Sequence, residues 1–233
     1  MKTIITDLEK LGDRCDEIDI KTENALMREI ILELKEIIRD KNLTSLSALQ
    51  IGYNKRIFCI NFKGDIRTFI NPVTIEVKGL TLSKETCSSI PDKTYIRPRN
   101  TEISIIYQTP LGKTETVKMV GKAAEVVQHE IDHLDGLLLS DIGLEIDDDF
   151  DKLTDEEKEE LLKTYMDSLD IKQKEVHKEI DENPELKKID DGIKFMEAVA
   201  TNKVQLEVTP VTDEQNQQIK DKLEKLNKET ESK

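Results

Sequence analysis

The chain has no tryptophan, and only five phenylalanines and four tyrosines in 233 residues. Its core must therefore be built from aliphatic side chains. The three cysteines, Cys15, Cys59 and Cys87, cannot all pair with one another, and their spacing matches no disulfide framework. No stretch approaches the ~20 consecutive apolar residues of a membrane span. The first ten residues, MKTIITDLEK, carry charges at Lys2, Asp7, Glu9 and Lys10 where a signal peptide would be apolar. The expectation is a soluble, cytoplasmic protein without a membrane partner, whose reduced thiols are available to a metal. Positive charge is also short, with 35 Lys and Arg against 49 Asp and Glu. Phosphate contacts need clustered Lys and Arg, so the balance argues against a general nucleic-acid binder.

The acidic excess is local. From Asp141 onward there are 28 acidic and 15 basic residues, a net of −13, which leaves −1 for residues 1–140. Six of the nine aromatics precede residue 141. In the first part, residues 22–41 carry Leu26, Met27, Ile30, Ile31, Leu34, Ile37 and Ile38 at helical period, with Thr22 and Glu23 at the start. Strand-like runs follow at 56–62, 67–72, 73–80, 101–108 and 113–120, the last two joined by the turn residues TPLG. A second helix is expected from about Gly121 to Gly136. Strands in series, not alternating with helices, predict an α+β fold with antiparallel pairing. Beyond Asp141, Thr154 and Glu157 form a capping-box pattern ahead of a charged amphipathic helix, 203–211 reads as a strand and 213–229 as a last helix.

Histidine is as scarce as cysteine, with three in the chain. Two of them stand in QHEIDHLDG, residues 128–136, as His129 and His133. Four residues is just over one helical turn, so both imidazoles project from one face and reach one ion, with Glu130 between them in the H-E-x-x-H pattern. His177, alone in the charged tail, is read as a surface residue. Catalytic sites of this kind use three protein ligands and keep a fourth position for water. Downstream, Asp141 and Glu145 are formal candidates for the third ligand, as a zinc endopeptidase would require. Upstream, Cys87 stands in the polar, turn-like segment KETCSSIPD, whereas Cys59 lies in an apolar run where a small buried hydrophobe is the default role. Cys87 is the favoured cysteine.

These segments resemble the peptide deformylases. That family carries a G-x-G-L-A-A-x-Q loop, an E-G-C-L-S segment and Q-H-E-x-D-H-L-x-G on a helix; this chain has LTSLSALQIG at 43–52, ETCSS at 85–89 and QHEIDHLDG at 128–136. The third match is complete and the first two are partial. The resemblance covers roughly residues 1–144 and stops before the acidic tail, so the chain divides into a catalytic domain, 1–144, and an acidic, mostly helical extension, 145–233. It implies antiparallel strands packed around a central metal-binding helix.

For chemistry, the resemblance implies one divalent ion, natively ferrous iron with zinc, nickel or cobalt as alternatives, held by Cys87, His129 and His133. Glu130 then serves as proton carrier for a metal-activated water that attacks the formyl group of an N-terminal formyl-methionine, releasing formate. The side-chain amide of Gln50 and the backbone N–H of Ser88 stabilise the oxyanion. Formylated nascent peptides are the implied partners, bound along Thr44, Ser45 and Thr86. Helix spacing puts Val126 on the metal face as a pocket wall. Asp132 and Glu85 are expected to support the histidines. The chain departs from the family at Leu43, Ser45 and Thr86, where glycine is usual, and at Ser88, where leucine is usual. Added side chains there predict a reshaped groove, or a deformylase-like domain that only binds peptide ends or metal. The net of −13 from Asp141 onward argues against docking on ribosomal RNA.

Overall fold

The computed structural model describes residues 3–146 and 148–167. The expected strand at 203–211, the helix at 213–229 and His177 lie outside the described residues. The chain separates into two compact units, Met1–Asp148 and Asp149–Lys233.

In the first unit, helix α1 spans Asn24–Asp40 and buries Met27, Ile30, Ile31, Leu34, Ile37 and Ile38, the stripe set by the 3.6-residue period. Eight strands follow or interleave: β1 Ser45–Ser47, β2 Ile57–Phe62, β3 Asp65–Lys78, β4 Thr81–Cys87, β5 Ile90–Arg99, β6 Glu102–Gln108, β7 Thr114–Val120 and β8 Leu144–Ile146. Helix α2, Lys122–Leu134, lies between β7 and β8, followed by the short α3, Leu139–Ile142. The strands form one five-stranded sheet in the order β1-β2-β3-β6-β7 and one three-stranded sheet in the order β4-β5-β8, and each of these pairings is antiparallel.

The larger sheet is covered on both faces. Ile57 and Cys59 of β2 join the α1 cluster, while Phe58 and Ile60 join a second cluster with Ala124, Val127 and Leu134 of α2. Alternate residues of a strand point to opposite faces, so an unbroken apolar run at 57–60 is what a strand buried on both sides requires. The rings of Phe58, Phe69 and Tyr107 stack in this layer, at centroid distances of 4.9 and 4.7 Å.

Two features correct the sequence reading. The runs at 67–72 and 73–80 are one strand, because Pro72 falls in a bulge: the pairing with β6 shifts register between Ile70 and Val73, and Asn71 takes a left-handed φ of 48°. Cys87 ends β4 directly before the turn at Ser88 and Ser89, and the two strands that the turn joins were not anticipated, β5 being hidden by the polar, proline-containing sequence IPDKTYIRPR. Helix α2 ends where Gly136 adopts φ 75°, and a Cβ there would lie 2.5 Å from the Gly12 carbonyl, so only glycine lets the N-terminal segment pack across the helix end.

In the second unit, residues 155–167 are helical. The expected capping box is formed reciprocally: the Glu157 N–H donates to Thr154 Oγ1 at 3.2 Å and the Thr154 N–H to Glu157 Oε2 at 2.7 Å.

Candidate active site

Helix α2 and strand β4 run side by side with matched periods. Ser83, Glu85 and Cys87, two apart on β4, meet Glu125, His129 and His133, four apart on α2. Ser83 Oγ donates to Glu125 Oε2 at 2.6 Å, Glu85 Oε2 lies 2.9 Å from His129 Nδ1, and Cys87 Sγ lies 3.2 Å from His133 Nε2. The ligand atoms of Cys87, His129 and His133 all fall within 4.8 Å of one another, and no other such group of three occurs among the described residues. Tetrahedral ligands at ~2.0–2.3 Å from an ion stand about 3.3–3.8 Å apart, so the thiol and imidazoles need only a small adjustment to close on one. The alternative third ligands lie elsewhere: Glu145 pairs with Lys93 at 2.8 Å, and Asp141 is exposed.

A buried charge network holds the histidines. Arg99, 2% exposed, grips Glu85 with Nε at 2.6 Å and Nη2 at 2.8 Å, and its Nη1 donates to Asp132 at 2.6 Å. Arg97 donates to the same Asp132 oxygen at 2.7 Å. Burial opposes the charge on Glu85, but Arg99 and the bonds from Arg99 and His129 outweigh it and hold the carboxyl far below the usual carboxylate range. Burial likewise opposes protonation of His129, and its bonds to Cys87 and Glu85 raise it to about 10 in the metal-free protein. His133 is pushed well below the usual histidine value by burial and by the charge of His129. Glu85 and Asp132 were expected near the site; Arg97 and Arg99 were missed, since arginines 30 residues upstream of a motif carry no spacing signal.

Glu130 is 1% exposed, its Oε2 has no hydrogen-bond partner, and burial raises its carboxyl against His129 and a bond from Ser45. His133 Nδ1 is likewise buried and unpartnered. An unsatisfied buried carboxylate oxygen on the residue next to a candidate ligand fits a site built for an ion and its water. Gln50 sits in the short turn Leu49–Ile51 after β1. Its Oε1 accepts from the Ser47 N–H at 2.9 Å and Ser47 Oγ at 3.1 Å, which turns its NH₂ toward Ser89 Oγ at 3.1 Å, Ser88 Oγ at 3.2 Å and Cys87 Sγ at 3.6 Å. Ser47 and Ser89 were not anticipated.

Of the remaining expected residues, Thr44 and Thr86 are exposed, and Ser45 and Val126 half-buried. The non-glycine residues with positive φ are Asn42, Lys63, Asn71 and Asp92. Leu43, Ser45 and Thr86 therefore carry none of the backbone strain that a lost glycine would impose, and Leu43 packs against the α1 core. Cys59 and Cys15 are inert: burial pushes their thiols up to about 11 and about 12.

A cysteine sulfur, two imidazoles and a buried glutamate beside them in the chain define a metal-dependent hydrolase. Comparison with known proteins gives the family: residues 1–145 match polypeptide deformylase. The peptide deformylase of Dictyoglomus turgidum is 33% identical over 150 residues, 61% of this chain and 95% of that protein. Among solved structures, the peptide deformylase of Thermotoga maritima aligns with a TM-score of 0.56 and 27% identity over 60% of this chain and 95% of that one. A probable peptide deformylase from Synechococcus phage S-SSM7 aligns at 0.55 and 28%, over 60% of this chain and 98% of that one. The chain belongs to the polypeptide deformylase family, and Cys87, His129 and His133 form a group that could hold a metal ion.

Proposed function

We propose that this chain removes the formyl group from the N-terminal formyl-methionine of nascent polypeptides, releasing formate, with ferrous iron as the native ion and zinc, nickel or cobalt as workable substitutes. The observation that carries this reading is the convergence of Gln50, Cys87, His129 and His133 from three separate segments, with the buried Glu130 next to His129 in the chain. When bound, the ion supplies Lewis acidity to the formyl carbonyl and acidity to a water. Glu130, buried and with a free carboxylate oxygen, takes the proton of the attacking water and returns it to the amine as the C–N bond breaks. The Gln50 amide, aimed by Ser47, donates to the oxyanion together with the Ser88 N–H.

Strands β1 and β4 are the edges of their sheets, which leaves backbone donors and acceptors beside Thr44, Ser45 and Thr86 for an extended peptide. Val126 forms the apolar wall of the first side chain's pocket. The retained base speaks for turnover over mere binding, since a binding module has no use for Glu130. We assign residues 145–233 to a solubilising extension or a contact for a basic protein in the cytoplasm, not to ribosomal RNA.

The test is formate release from formyl-Met-Ala-Ser by protein prepared anaerobically with ferrous iron, beside Glu130→Ala. Formate from the native protein and none from the variant is expected. No formate from metal-loaded native protein would refute the reading.

A further inference from the structure

We propose that the side-chain hydroxyl of Ser88 is a catalytic donor to the oxyanion, a third one beside the Gln50 amide and the Ser88 backbone N–H. The inference rests on the deformylase reading and deepens it at a position where the family motif has leucine and this chain has a hydroxyl.

The argument starts at Ser47. Its N–H and hydroxyl both donate to Gln50 Oε1, at 2.9 and 3.1 Å, and a backbone N–H can only donate. The amide oxygen is therefore fixed on the β1 side and the NH₂ on the β4 side. That NH₂ brings two hydrogens to three acceptors, Ser89 Oγ at 3.1 Å, Ser88 Oγ at 3.2 Å and Cys87 Sγ at 3.6 Å. Toward Gln50 both serine oxygens act as acceptors, so their own protons must turn elsewhere. Ser89 is 1% exposed and sealed in the wall. Ser88 is half-buried, follows the ligand Cys87 directly, and its hydroxyl proton finds no acceptor among the described residues.

A hydroxyl that accepts from an amide is a better donor through its own proton, because each bond polarises the next. The developing oxyanion must lie within reach of Gln50 Nε2 for that amide to act, and Ser88 Oγ is 3.2 Å from the same nitrogen. Rotation about the Ser88 Cβ–Oγ bond turns its O–H to the same point while Oγ stays on the Gln50 amide. Being aimed where charge develops, it favours the tetrahedral state over the planar formamide. The competing role is passive: Ser88 satisfies one Gln50 hydrogen, which substrate then has to take from it.

The two roles predict opposite changes. Full-length protein loaded with nickel is compared as native, Ser88→Ala and Ser88→Thr, with metal content checked for each. For a donor, Ser88→Ala lowers kcat about ten- to a hundredfold with KM within about twofold, and Ser88→Thr restores most of it. Calorimetry supplies the readout independent of turnover. A Met-Ala-Ser analogue bearing a tetrahedral H-phosphonate in place of the formamide binds Ser88→Ala at least about tenfold more weakly, while the product Met-Ala-Ser binds equally. Unchanged or raised kcat with unchanged phosphonate affinity would overturn the Ser88 assignment alone. Absence of formate release by the native protein would overturn the deformylase reading beneath it.

Discussion

Glu85→Gln tests the idea that the metal is held from behind. The substitution keeps the shape of the side chain and removes its charge. In the native protein Glu85 accepts from three N–H groups, two on Arg99 and one on His129, and donates nothing. An amide placed there must point its NH₂ at Arg99 or at His129, so at least one charge-assisted bond is replaced by a donor facing a donor. Each such bond is worth about 1.5–3 kcal/mol, and Arg99, at 2% exposure, keeps only Asp132 as a counter-charge. Breaking a buried pair by neutralising one member costs about 3–5 kcal/mol. Loss of the bond that orients His129 weakens metal binding about 10- to 100-fold.

Denaturant unfolding of the metal-free proteins and zinc titration against a competing chelator measure the two effects separately. Arg99→Met should be comparably destabilising alone, and the double variant should lose less than the sum, because its members share the interaction. A Glu85→Gln protein that keeps zinc within about twofold of native and unfolds at the native midpoint would show that α2 packing, not Glu85, sets the His129 ring, and the argument would fail.

Cys87→Ser should lose zinc at chelator concentrations that the native protein withstands; retention would favour a downstream third ligand, as in an endopeptidase. Gln50→Ala should lower kcat about 10²- to 10³-fold with metal content unchanged, read by formate release. For pH, the metal-free His129 is raised to about 10 by Cys87 and Glu85 against its burial, above its ordinary 6.5. Its contribution to metal-free stability is therefore complete below about pH 6.5 and lost as pH rises through about 10, whereas coordination at Nε2 must displace that proton. Zinc binding at pH 7–8 should accordingly release at least one proton and weaken as pH falls; calorimetry in two buffers of different ionisation enthalpy that finds no proton release would refute this.

The legible parts of the sequence were those governed by a short period or a rare residue. The 3.6-residue spacing of Met27 to Ile38 gave α1, the pair His129 and His133 gave α2 and its ion, and Thr154 with Glu157 marked the start of the helix at 155–167. Strands β4 and β5 were illegible because they belong to a small sheet whose residues face a charged network. Glu85, Arg97 and Arg99 occupy buried positions that apolar residues usually hold in half-buried strands, so burial of charge erased the pattern. Pro72 split β3 for a local reason, since a bulge accommodates a residue without an N–H. Arg99, 30 residues before His129, could be found only by asking which cations neutralise Glu85 and Asp132 once all three are buried.

The site itself follows from two periods that nearly agree. Four residues of helix advance about 6.0 Å and two residues of strand about 6.7 Å, so α2 and β4 can stay in step for three rungs before the mismatch, about 0.7 Å per rung, carries them apart. The rungs are used in order: hydroxyl to carboxylate at Ser83 and Glu125, carboxylate to imidazole at Glu85 and His129, thiol to imidazole at Cys87 and His133. The first two are closed by hydrogen bonds at 2.6 and 2.9 Å, and the third, at 3.2 Å, is the one an ion can enter. Glu130 is one residue beyond His129 and so about 100° further round the helix, where it meets Ser45 on β1 and not β4. One helix thereby faces the edges of two sheets at once, presenting His129 and His133 to β4 and Glu130 to β1. A one-residue slip of α2 would separate all three rungs and the Glu130–Ser45 contact together, and the clamp of two β5 arginines on Asp132, on the same helix, opposes such a slip.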